Sequence, residues 1–136
     1  MLIDYGFPRH EYYHPDRSQG TLMCHYHHQA HPNPLLHIGE QDITAHVDFT
    51  QVAEAASDCG FTINGFASQA SFLLNNGLLN YLAAIQDPKR QFQATQAVKQ
   101  LIQPTEMGEL FKVIALGKNY DSPLSGFSLQ DKRMSL

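Results

Sequence analysis

"LFKVIAL", residues 110–116, is almost wholly apolar and β-prone, with Lys112 the one charged residue in it. A run of that length and character is what a strand buried on both faces of a sheet looks like. The segments before it supply helices. Gln91 to Ile102 carries Phe92, Thr95, Val98 and Ile102 on one helical stripe and stops at Pro104. Leu78 to Ile85 is a further helical stretch, broken by Asp87-Pro88, and Ser68 is placed to cap a helix from Gln69 to Asn75 with Gly77 beyond it. Phe61 to Phe66 alternates as a strand. Strands alternating with helices predict an α/β domain.

Further back, "GEQDITAHVDFT" (39–50) alternates with period two. Ile43, Ala45, Val47 and Phe49 take one face, while Asp42, Thr44, His46 and Asp48 take the other. Asp48 with Gln51 resembles a capping box, and Val52, Ala53, Ala56 and Cys59 repeat at helical spacing until Gly60 supplies a stop. The polar row has two readings that the residues alone leave open. It is either an exposed strand face plus a helix cap, or a polar lip on which an acid and an imidazole orient a basic or hydroxylic substrate.

The remaining N-terminal part is less regular. Met1 to Tyr5 reads as the end of a buried strand, with a turn at Gly6. Residues 7–38 show no sustained periodicity and are punctuated by Pro8, Pro15, Pro32 and Pro34, which predicts a long, His-rich loop insertion. Residues 119–136 form a turn-rich surface tail.

Composition narrows the partners. The chain has 136 residues, 43% hydrophobic and 16% charged, which fits a single domain over 1–136 with a real core. A formal charge of -4, with basic residues clustered only at Lys89-Arg90 and Lys132-Arg133, gives no support for nucleic acid. No apolar run is long enough to span a membrane and no secretory leader is visible, so a cytoplasmic protein is expected. Cys24 and Cys59 are far apart and predict reduced thiols, with Cys59 packed in the core. "CHYHHQAH" (24–31) offers Cys24, His28 and His31 as zinc-type ligands, yet the spacing matches no standard finger; no metal is expected, and a His-loop metal-binding protein stands as an alternative. No Gly-x-Ser-x-Gly elbow and no Gly-x-Gly-x-x-Gly turn is present.

Several stretches taken together resemble one family. "IDYG" (3–6), "SQGTL" (18–22), "PLL" followed by "GEQDITAHVDF" (34–49), "SQASFLLNNG" (68–77) and "EMGELFKVIALGK" (106–118) are similar, in order, to the MidA family of class I S-adenosylmethionine-dependent methyltransferases. The resemblance covers essentially the whole chain. It implies the C-terminal part of a Rossmann-like sheet, strands five to seven with helices and a long loop insertion. Leu2 to Tyr5 would end the fifth strand, Phe61 to Phe66 would be the sixth, and Leu110 to Leu116 an antiparallel seventh between them. It also implies S-adenosyl-L-methionine as cofactor and protein arginine methylation, since the family's mitochondrial members are protein arginine methyltransferases needed to assemble respiratory complex I.

The elements with which the family holds the donor do not occur here: a Gly-rich turn, an acid after the second strand, and Asn-Glu and Asp-Ala-Leu-Pro stretches. The chain therefore reads as the substrate-side part, inactive alone, whose expected partner is a separate N-terminal half or a second copy, with a protein as substrate. On this reading Asp4, His46 and Asp48 are the candidate catalytic residues, Tyr5, Gly6, Asp42 and Thr44 the candidate substrate-binding residues, and Glu106 and Glu109 weaker candidates. The competing reading is a non-catalytic binding or scaffold module that uses an exposed sheet edge.

Overall fold

The computed structural model describes residues 1–136. β1 (Leu2–Phe7) leads into a short helix, α1 (Arg9–Tyr12), and a 3₁₀ turn (Pro15–Arg17). A hairpin of β2 (Met23–Tyr26) and β3 (Gln29–His31) follows, then β4 (Asp42–Thr44), β5 (Val47–Asp48) and α2 (Phe49–Asp58). Beyond them come β6 (Thr62–Ser68), α3 (Gln69–Asn75), α4 (Leu78–Ala83), α5 (Pro88–Ile102), α6 (Met107–Leu110) and β7 (Phe111–Gly117). Two 3₁₀ turns, Ser125–Phe127 and Arg133–Ser135, close the chain.

The main sheet has the order β5-β1-β7-β6, and β7 runs antiparallel to both neighbours. Tyr5 lies opposite Phe111 and Ser68 opposite Lys112, so the carboxyl ends of β1 and β6 share a rim with the amino end of β7. This is the inserted antiparallel strand that the resemblance implies. Because β7 is central, both its faces are covered. Ile114 packs with Phe49, Ala53 and Phe66 beneath α2, and Val113 and Ala115 pack with Ala67 and Phe127 on the opposite side. Phe49 and Phe66 are fully buried, their ring centroids 5.3 Å apart.

α2 begins where the side chain of Asp48 accepts a hydrogen bond from the Gln51 N–H at 3.1 Å and ends before Gly60, whose φ of 76° is the left-handed conformation that stops a helix. Arg9 fastens α1 to this helix: its terminal nitrogens donate to both carboxylate oxygens of Glu54 at 2.7 and 2.6 Å, and its Nε donates to Asp48 at 3.3 Å.

Several expectations need correcting. The segment Asp42–Phe49 is not one strand: Ala45 and His46 interrupt it, β4 pairs with β2 in a separate three-stranded sheet, and β5 pairs with β1. Residues 7–38 are more ordered than a loop, because elements of three or four residues are too short to leave a visible period. The β2–β3 hairpin turns through His27 and His28 with φ of 47° and 64°, the sign a tight two-residue turn requires.

Gly6 is not a turn residue; it sits inside β1 opposite Val47, and a Cβ there would run into the Val47 carbonyl. Nor is β1 a buried strand. Leu2 and Ile3 are each 49% exposed, since no strand lies along its outer edge before Gly6. Cys59 is exposed, because the helix has ended at Asp58 and helical spacing no longer aims it inward; the buried thiol is Cys24. Phe92 also lies outside, as α5 turns Val98 and Ile102 rather than Phe92 toward α3 and α6. The tail contributes to the core through Phe127, and the Lys132 N–H donates to the Phe66 carbonyl at 2.6 Å.

Candidate functional site

A cleft of about 540 Å³ opens at the shared rim of β1 and β7. That is within the roughly 300–1,000 Å³ typical of small-molecule sites, and its position beyond a strand's carboxyl end is where open α/β sheets bind ligands. Tyr5 comes from β1, Phe111 from the start of β7, and Asp42 and Thr44 from β4. Arg17 comes from the first 3₁₀ turn and His25 from β2. His46 occupies the break between β4 and β5, where its N–H donates to Thr21 Oγ1 at 3.2 Å.

The break gives His46 its place. β4 belongs to the small sheet and β5 to the main one, so the linker between them carries the imidazole across the seam. Its ring stands edge-on to Tyr5 at 5.5 Å and tilted against Phe7 at 5.0 Å. Tyr5 in turn meets Phe111 edge-on at 5.4 Å. Burial pushes the His46 pKa below its ordinary value, and the positive charges of Arg17 and Lys112 push it further the same way. The imidazole is therefore neutral at pH 7. Its Nδ1 is buried and has no hydrogen-bond partner within the chain. A buried polar atom left unpaired is costly, and Nδ1 faces the packed interior, whereas Nε2 is not among the buried unpaired atoms.

Two cations flank Phe7. The Arg17 guanidinium carbon lies 4.1 Å from the ring centroid and the Lys112 ammonium 5.6 Å. Lys112 is buried, its Nζ donates to the Glu109 carbonyl, and burial lowers its pKa.

Four of the seven candidates thus converge: Tyr5, Asp42, Thr44 and His46 line one cleft. Asp48 does not. It borders a second cleft of about 450 Å³ on the far side of His46, and its oxygens are occupied by the α2 cap and by Arg9. Asp4 lines neither cleft and accepts a hydrogen bond from the Tyr5 N–H at 2.8 Å, and Gly6 serves the β1–β5 approach. Glu109 pairs with Lys132 at 3.5 Å, outside the cleft, which Glu106 does not line either. Sequence reading singled out none of the other lining residues as site residues, Arg17, Leu110 and Phe111 among them, and it noted His25 only as part of the His-rich stretch 24–31. The "DR" of the Pro15 turn carried no periodic or motif signal that would have singled out Arg17. No three His, Cys, Asp or Glu side chains lie together as a metal site: Cys24 is fully buried on β2 and His28 sits in the hairpin turn.

A family model described as "Putative S-adenosyl-L-methionine-dependent methyltransferase" matches residues 1–67. The mitochondrial protein arginine methyltransferase NDUFAF7 of Rattus norvegicus is 33% identical over 120 residues, a match covering 85% of this chain and 26% of that protein. An uncharacterized protein from Burkholderia thailandensis superposes on 98% of the chain with a TM-score of 0.95 and 51% identity, over 36% of its own length. A superfamily member from the same organism, solved bound to S-adenosyl-homocysteine, gives a TM-score of 0.94 at 51% identity, over 98% of this chain and 35% of its own.

The chain belongs to this S-adenosylmethionine-dependent methyltransferase family.

It spans about a quarter of the rat protein and about a third of the Burkholderia chains. The segment matched by the methyltransferase model holds every cleft residue except Leu110 and Phe111. S-adenosylmethionine is the family's cofactor. Its fit to this chain divides: the cleft volume and the polar side chains of Asp42, Thr44 and His46 suit a small polar group, whereas no glycine-rich turn follows a strand here to cradle an adenosyl moiety.

Proposed function

We propose that this chain forms the acceptor-side wall of a methyltransferase and that the assembled enzyme methylates arginine side chains of a protein. The observation that carries the reading is the meeting of Asp42 with a neutral His46 in one cleft. S-adenosylmethionine supplies a methyl group already activated on a sulfonium, so the protein's tasks are alignment and proton management. Asp42 offers a carboxylate to orient the guanidinium, and the Thr44 hydroxyl adds a second polar anchor. The edges of Tyr5 and Phe111 confine the acceptor. His46, held neutral, takes at Nε2, the ring nitrogen that is not sealed in the interior, the proton that the acceptor nitrogen loses. The printed name of the rat relative supports arginine as acceptor.

The donor is held by a separate segment that carries a glycine-rich turn. The open outer edge of β1, with Leu2 and Ile3 half exposed, supports its docking there as a further strand. The protein works in the cytoplasm on this reading; no helix is long and apolar enough to cross a membrane.

The test combines the chain with the donor-binding part of the Burkholderia protein, supplies methyl-labelled S-adenosylmethionine and arginine-containing peptides, and analyses the hydrolysate. Labelled methylarginine that requires both parts supports the reading. Folded, associated parts that transfer no label to arginine overturn it.

A further inference from the structure

Arg17 differs from the other arginines with identified side-chain partners. Arg9 and Arg133 are bound to carboxylates. Arg17 is half-buried and forms no ion pair. Its Nη1 donates to the Glu11 carbonyl and its guanidinium carbon lies over the Phe7 ring, so the side chain is fixed, yet Nε and Nη2 have no partner in the chain. A guanidinium presents five N–H donors in a rigid fork suited to a carboxylate. Held by a backbone carbonyl and an aromatic face, with part of that fork free and lining the cleft, it is preorganised for an anion.

The charges in the cleft point the same way. Asp42 is the only carboxylate lining it, against Arg17 and, behind Phe7, Lys112. An acceptor guanidinium entering beside Asp42 adds a further positive charge, and a ligand carboxylate at Arg17 restores the balance.

We propose that Arg17 is a carboxylate-binding residue of this cleft. The inference rests on the cleft being the reaction site. The carboxylate has two possible sources: the amino-acid end of the methyl donor, or an acidic side chain next to the arginine to be methylated. Both present the same group to the same fork.

The experiment uses two matched pairs of probes on the chain assembled with the donor-binding segment. S-adenosylhomocysteine is compared with 5′-methylthioadenosine, which lacks the amino-acid end, and a blocked Arg-Asp dipeptide is compared with its Arg-Asn counterpart. Binding is followed by the Arg17 Nε–H resonance and by the titration of His46, which shares its surroundings with Tyr5 from β1, Arg17 from the 3₁₀ turn, His25 from β2, Asp42 from β4 and Lys112 from β7. In at least one pair the carboxylate member should bind roughly tenfold more tightly, shift the Arg17 signal and raise the His46 pKa, because an anion favours the imidazolium. The pair that shows it identifies the source. Arg17→Gln should abolish the discrimination while the chain stays folded with at most a small drop in unfolding temperature, since it loses the Phe7 contact, and Arg17→Lys should retain part of it by keeping charge without the fork.

Equal binding within both pairs, no binding by any probe, or discrimination that survives in Arg17→Gln overturns the assignment. Failure of arginine methylation alone leaves these readouts intact, so the two failures are distinguishable.

Discussion

The ring of His46 meets the ring of Tyr5 edge-on, with centroids 5.5 Å apart and planes at 88°. Tyr5 belongs to the main sheet and His46 to the linker that leaves the small one, so this contact joins the two sheets at the mouth of the cleft. The site depends on that seam.

Gly6→Ala should loosen the seam. Its methyl group collides with the Val47 carbonyl, so β5 must move off β1 and carry His46 with it. A loss of about 1–3 kcal/mol in stability is expected from overpacking at such a contact. Urea unfolding measures the loss, and hydrogen exchange should show weakened protection at Phe7 and Val47 while β6 and β7 stay protected.

Phe66→Ala tests the core rather than the site. Phe66 is fully buried against Phe49 and Ile114, and truncating a buried phenylalanine costs about 3–5 kcal/mol. The expected result is a large drop in unfolding temperature. A small drop would mean that the cluster beneath α2 is not the centre of stability.

Lys112→Met should leave the fold at least as stable as before, because it replaces a buried ammonium whose pKa burial has already lowered. The same change removes one of the cations that depress the His46 pKa. That pKa should therefore rise in the variant, which an NMR titration of the imidazole reads directly.

Stability should fall in acid. His46 has a folded-state pKa below its ordinary 6.5, so from 6.5 downward the unfolded chain takes up a proton that the folded chain resists. Its contribution is complete above that pH and is lost progressively as pH falls toward the folded-state value. Glu54, with its pKa lowered by the hydrogen bond from Arg9, adds a second loss below its ordinary 4.5. Denaturation midpoints across pH 4–7 should show the first decline in the wild type and a weaker one in His46→Gln.

Much of the frame was legible in the chain. The apolar run at 110–116 gave the central strand, and Asp48 with Gln51 marked the start of α2, because burial on two faces and helix capping leave local signatures. The cleft was legible only in part. Asp42 and Thr44 alternate on β4 as the period of two predicts, but His46 joins them for another reason: the strand breaks at Ala45, and His46 lies in the linker that changes sheets. Nothing local encodes that handover. Arg17 is held by a cation–π contact with Phe7 across an irregular turn, a relation with no period to read.

The central claim is that His46 takes the proton released from the acceptor. Its most direct test is the pH dependence of labelled methyl transfer by the assembled enzyme, wild type against His46→Gln. The account predicts an acid limb governed by a group below pH 6.5 in the wild type, and in the variant a kcat lower by about a hundredfold with that limb gone. An unchanged kcat with the same acid limb in His46→Gln would contradict it.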